Sequence, residues 1–102
     1  MKYCVKHTAD DCFFFETDHY VQITADINPI DPTTRIIYIE IYNVDYVDQK
    51  LTVIHHFETH FPGTVCVTTS NTLTFIELSD GSIVRDIMRE MIDAGIEVSD
   101  SQ

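Results

Sequence analysis

The sequence is short of basic residues, glycine, proline and cysteine, and it has no long apolar run. Lys and Arg together number 6 of 102 residues, against 17 Asp and Glu. Affinity for DNA or RNA rests on Lys and Arg, so direct nucleic-acid binding is not expected. The same scarcity removes the attraction to anionic membranes. Three glycines leave little material for a phosphate-cradling loop, and neither G-x-S-x-G nor H-E-x-x-H occurs, so no enzyme template and no cofactor motif is met. Cys4, Cys12 and Cys66 are too few, and odd in number, for a disulfide framework; they read as small apolar filler. No apolar stretch approaches the ~20 residues that cross a bilayer. The opening MKYCVKHTADD lacks the apolar segment of a secretory leader. The expectation is a protein of the reducing cytoplasm.

What is present is acid and β-forming residues. The formal net charge is −11. It is spread along the chain: residues 1–50 hold 9 acids and 4 bases, and residues 51–102 hold 8 acids and 2 bases. No acidic tail accounts for it, so the folded body itself carries the field, and that field attracts a basic partner. A length of 102 residues with 44% apolar content fits one domain, 1–102, with a real core.

Arg35–Val44, RIIYIEIYNV, organises the rest. Its β-branched and aromatic residues suit a pleated surface. Alternation sends Ile37, Ile39 and Ile41 to a dry face, and Ile36, Tyr38, Glu40 and Tyr42 to a mixed one. Upstream, Asn28-Pro29-Ile30-Asp31-Pro32 is a turn, because two prolines remove backbone donors. Before it, Asp18–Ile27 alternates with Val21, Ile23, Ala25 and Ile27 inward, and the two strands read as an antiparallel hairpin. Further strands are expected at Lys2–His7, Lys50–Phe61, Thr64–Thr69 and Thr72–Leu78; Cys12–Phe15 reads as a short buried strand or a plug. In Lys50–Phe61, alternation puts Leu51, Val53, His55 and Phe57 on one side and Thr52, Ile54, His56 and Glu58 on the other. One helix follows, from Ser79-Asp80-Gly81-Ser82 to Ala94. Ile83, Val84, Ile87, Met88, Met91 and Ile92 form its stripe, Ser79, Asp80 or Ser82 its cap, and Gly95 its left-handed stop. Residues 97–102 are expected to fray.

The expected fold is therefore α+β: an antiparallel sheet of about five or six strands with one C-terminal amphipathic helix packed on it. Five strands span ~24 Å while a helix is ~10 Å wide. One helix cannot cover such a sheet, so the sheet must curl or bury its surface against another chain, and a homodimer is one expectation.

Three constellations bear on function. Cys4, His7, Cys12 and His19 follow C-x2-H-x4-C-x6-H, loosely like a zinc knuckle. Cys4 and His7, three apart on a strand, point to opposite faces, and no metal site is assigned. Asp86, Glu90 and Asp93 share one helical face, ~6 and ~4.5 Å apart along the axis, of the order of phosphate spacing; Arg85 and Arg89 beside them make a solvated face the plainer reading. Tyr38, Glu40 and Tyr42, lined up with Tyr20 and Asp26 across the hairpin, offer tyrosine anchors beside carboxylates, unless the helix or a second copy covers that face. These point to a non-enzymatic acidic binding protein whose partner is a basic, nucleic-acid-binding protein. Small acidic phage-encoded inhibitors of host defence nucleases, the DNA-mimic type, share this profile of size and charge. The competing expectation is a homo-oligomeric structural or accessory subunit joined through its sheet, and a third is a small metal-binding or enzymatic domain.

Overall fold

The computed structural model describes residues 1–100. Among these residues eight strands form two sheets, with one short helix near the C-terminus. In chain order the strands are β1 (Lys2–Lys6), β2 (Cys12–Glu16), β3 (Tyr20–Ile27), β4 (Arg35–Asp45), β5 (Lys50–Phe61), β6 (Val65–Thr69), β7 (Leu73–Leu78) and β8 (Val98–Ser99). A 3-10 turn, Gly81–Ile83, leads into helix α1, Val84–Asp93.

The single antiparallel sheet expected from alternation is replaced by two. The larger has the order β6-β7-β1-β2-β8 and the smaller β3-β4-β5. The larger is mixed, because β1 and β7 run parallel, Tyr3 beside Thr74 and Val5 beside Ile76. The two sheets and the helix share one apolar core. Tyr3, Val5, Phe13, Phe15, Ile76 and Leu78 come from the larger sheet, Val21, Ile37, Ile39, Ile41 and Phe61 from the smaller, and Val84, Ile87 and Met91 from the helix. This resolves the width mismatch: the second sheet covers what one helix cannot. Tyr3 stacks on Phe15 with ring centroids 4.7 Å apart.

The outward face of the larger sheet is covered by side chains. Cys4 sits between Phe14 of β2 and Phe75 of β7. Lys2 Nζ lies 5.7 Å from the centre of the Phe14 ring, and Lys6 Nζ 4.9 Å from that of Phe75. The lysine stems screen the apolar row while their ammonium groups stay at the surface.

Asp80, one of the three expected caps, accepts the Ser82 N–H at 2.9 Å. At the other end Gly95 takes φ +84°, donates to the Ile92 carbonyl, and Ile96 donates to that of Met91. These two bonds and the burial of Ile96 make a Schellman stop. Met91 is fully buried but Ile92 is half exposed, so the apolar stripe is narrower than the sequence suggests. The chain expected to fray after residue 97 instead pairs with β2, Val98 opposite Phe15 and Ser99 opposite Phe14; residues 101–102 lie outside the described residues. The proline turn is held by Asn28, whose Oδ1 accepts the Ile30 N–H and whose Nδ2 donates to Thr34 Oγ1. Among the described residues no helix is long and apolar enough to cross a membrane.

Candidate interaction surface

The smaller sheet has one face in the core and one outside. Ile37, Ile39 and Ile41 are fully buried, while Ile36, Tyr38, Glu40 and Tyr42 are part-exposed. The helix packs on the inner side, so it does not cover the mixed face.

Cross-strand register builds that outer face in rows. Tyr20, Tyr42 and Val53 stand abreast, then Gln22, Glu40 and His56, then Thr24, Tyr38 and Glu58, then Asp26, Ile36 and His60. Residues directly opposite in antiparallel strands share a face and touch. The Tyr20 and Tyr42 rings are tilted at 42° with centroids 5.7 Å apart. Glu40 Oε2 lies 3.7 Å from His56 Nδ1. Loss of solvent, then the Glu40 charge and a hydrogen bond to it, hold the Tyr42 phenol above the ordinary tyrosine value.

One expectation for β5 is corrected here. Ile41 pairs with His55, but Tyr42 pairs with Val53. Ile54 is thus an extra residue in β5, a bulge that reverses the alternation beyond it. Leu51 and Val53, expected on the side of His55 and Phe57, stand instead on the outer face with Tyr42 and Val44. Beyond the Tyr42 row β3 has ended, and the hairpin continues as a two-stranded ribbon to Asp45 and Lys50. Its end exposes Tyr46, Val47, Leu51, Val53 and Ile54. No local signal in the sequence marks the bulge, because a bulge exists only relative to the partner strand.

The acidic helix row is partly engaged. Glu90 Oε1 accepts a hydrogen bond from His55 Nε2 at 2.9 Å, with both side chains about one quarter exposed. Asp86 Oδ1 lies 3.4 Å from Arg89 Nη1 at the open surface, and Arg85 reaches Asp100 at 2.8 Å. Asp93 is exposed. The His55–Glu90 bond ties the helix to the inner side of β5, so the helix row and the tyrosine face are carried on different elements.

Among the described residues, no three His, Cys, Asp or Glu side chains come together as a metal site. Cys4 and Cys12 are neighbours on the outward face of the larger sheet, and burial is the main cause that raises the Cys4 thiol. His7 Nδ1 lies 3.3 Å from the Leu78 carbonyl instead.

A second feature was not legible in the sequence. A cleft of about 940 Å³ runs beside β3, lined by Tyr20–Thr24 on one side and by Tyr3, Val67, Thr69 and Thr74 of the larger sheet on the other. No family model matches the chain, and no curated protein or solved structure matches it at a significant level.

Proposed function

We propose that this is a non-enzymatic acidic binding protein that occupies a basic, nucleic-acid-binding surface of a partner protein. The observation that supports the reading most is the outer face of the smaller sheet. It is left open by the helix and presents Tyr20, Tyr38 and Tyr42 around Glu40, with Asp26 and Glu58 in adjoining rows. Aromatic side chains supply contact area at small entropic cost, and carboxylates complement Lys and Arg. The net charge of −11 steers the encounter and lets carboxylates stand where phosphates otherwise bind. The inhibitor reading follows: the partner's nucleic-acid groove is blocked by competition.

The helix row contributes less than the sequence suggests, because Glu90 is held by His55 and Asp86 by Arg89. Asp86 and Asp93 serve at the periphery of the contact.

The test is capture of a partner from a host lysate at low salt, elution with a salt step, and competition of the complex with duplex DNA. DNA must displace the protein, and Tyr38→Ala with Glu40→Gln must weaken capture more than Asp86→Asn with Asp93→Asn. A complex indifferent to both salt and DNA would sink the proposal. The exposed hairpin end, Tyr46, Val47, Leu51 and Val53, favours a second reading, a self-associating subunit. Light scattering on the isolated protein separates the two, since apolar self-association persists at high salt.

A further inference from the structure

The larger sheet is wider than what covers it. Antiparallel register puts Val67 opposite Ile76 and Thr69 opposite Thr74, on the core-facing side; Thr69 Oγ1 is 3.3 Å from Thr74 Oγ1. Yet Ile76 is 2% exposed and Val67 51%. Val65, at the start of β6, still packs against the core, but from Val67 onward the core stops at β7 and β6 overhangs it. Above β6 the smaller sheet has run out, because β3 is its last strand on that side. The cleft beside β3 is the resulting space.

That space has the shape of a missing strand. Its floor is Val67 and Thr69, one wall is the edge of β3, and Val44, Tyr46 and Leu51 of the β4–β5 hairpin end also line it. Edge strands in natural sheets are usually blunted by lysine, proline or a bulge. Tyr20–Ile27 has none of these: its pairing with β4 is regular throughout, and Asp26 is its only charged residue. Eight residues give ~27 Å of edge. By contrast β5, the opposite edge, carries Lys50, three histidines and the Ile54 bulge.

We infer that the free edge of β3 takes up one extended segment of the partner as a fourth strand of the smaller sheet, seated over Val67. Side chains on the inner side of that segment are apolar, because they meet Val67, Ile23 and Tyr3. Those on the outer side are basic, because they continue the face bearing Glu40 and Asp26 and approach Asp18 at the cleft. This rests on the basic-partner reading for the charge of the segment, and on the sheet geometry for its form. Main-chain pairing supplies affinity, and alternate side chains supply selectivity. A second copy is disfavoured in its place by the topology. Pairing β3 with β3 about a two-fold axis would carry the overhanging β6 of each copy into the layer already filled by β6 and β7 of the other.

The experiment uses the whole protein and three short synthetic peptides. One alternates lysine with valine, one alternates glutamate with valine, and one has the same lysines with prolines that forbid strand pairing. Binding is followed by titration calorimetry and by amide exchange. The lysine–valine peptide is expected to bind and to slow exchange of amides in Val21–Ala25. The proline peptide and the glutamate peptide are each expected to bind at least about tenfold more weakly. Val67→Arg, at an exposed site, should fold normally by circular dichroism and weaken the lysine–valine peptide about tenfold. Equal binding of the proline peptide would overturn the strand inference while leaving the basic-partner reading in place. Equal binding of the glutamate peptide would overturn the stated chemistry of the segment and remove support from that reading. No effect of Val67→Arg would move the site elsewhere. A dimer of the free protein that Val67→Arg dissociates would give the edge to a second copy, against the inference.

Discussion

Glu90 is a carboxylate with two competing uses. On the helix surface it belongs to an acidic row with Asp86 and Asp93; in the fold it accepts a hydrogen bond from His55 at 2.9 Å. The second use ties α1 to β5, and partial burial lets it count. Glu90→Ala is expected to lower stability by ~1 kcal/mol in urea unfolding, whereas Asp86→Ala, whose ion pair with Arg89 is open to water, should change it by less than ~0.5 kcal/mol. Equal effects would mean the His55 bond adds nothing to an ordinary surface charge. Tyr42 makes a second residue-scale prediction. Its phenol is raised by lost solvent and by Glu40, so Glu40→Gln should move its titration back toward the free value, read by NMR on ring-labelled tyrosine. Buried Tyr3 is raised too, with burial the main cause. A folded-state value above the unfolded one means the unfolded chain loses its proton first. The stability linked to both tyrosines is thus complete below pH ~10 and is lost as pH rises through the folded values.

At the scale of elements, local pattern reveals which residues form strands and which side each faces. The chain follows that pattern at β1, β4, β6 and β7, at β3 as far as Ala25, at the helix except Ile92, and at β5 from His55 onward; Ile27, expected inward, lies at the end of β3 and is exposed. Alternation does not reveal which strand lies beside which. Lys2–Lys6 reads the same whether its neighbour is antiparallel β2 or parallel β7, so the division into two sheets stayed hidden. The tyrosine face was legible, because Tyr38, Glu40 and Tyr42 alternate with fully buried isoleucines. The cleft over Val67 was not, because it depends on one sheet being wider than the other. The bulge gives the element-scale prediction. Deleting Ile54 leaves Ile41 opposite His55 and Tyr42 opposite Val53, now as consecutive regular pairs. The Ile54 side chain is half exposed, so the deletion should be tolerated, with a stability change within ~1 kcal/mol and Val53 still beside Tyr42 in nuclear Overhauser spectra. Deleting Phe57 instead would reverse the faces of the residues on one side of the cut, and should unfold the protein. If both deletions unfold it, the extra residue shapes the strand rather than merely interrupting it.

For the whole molecule, one property sets two opposite responses to salt. A net charge of −11 within a radius of gyration of 13.7 Å makes the carboxylates repel one another in the folded state more than in the expanded chain. Among the described residues four ion pairs, two of them involving histidine, offset little of this. Sodium chloride screens the repulsion, with a Debye length of ~10 Å at 0.1 M and ~3 Å at 1 M. The thermal midpoint should therefore rise with salt. A gain of ~1 kcal/mol corresponds to ~4–8 °C for a domain near this size. Chloride is the right probe, because sulfate also strengthens apolar burial and would confuse the two effects. The same screening removes the attraction to a basic partner, so affinity should fall over the range in which stability rises. Opposite slopes in one titration tie both to a single field. If the midpoint stayed flat while partner affinity fell, the attraction would come from a few carboxylates such as Glu40 and Glu58, not from the whole body. If both stayed flat, there would be no long-range field to draw a basic protein in, and docking would rest on tyrosine contacts and strand pairing alone.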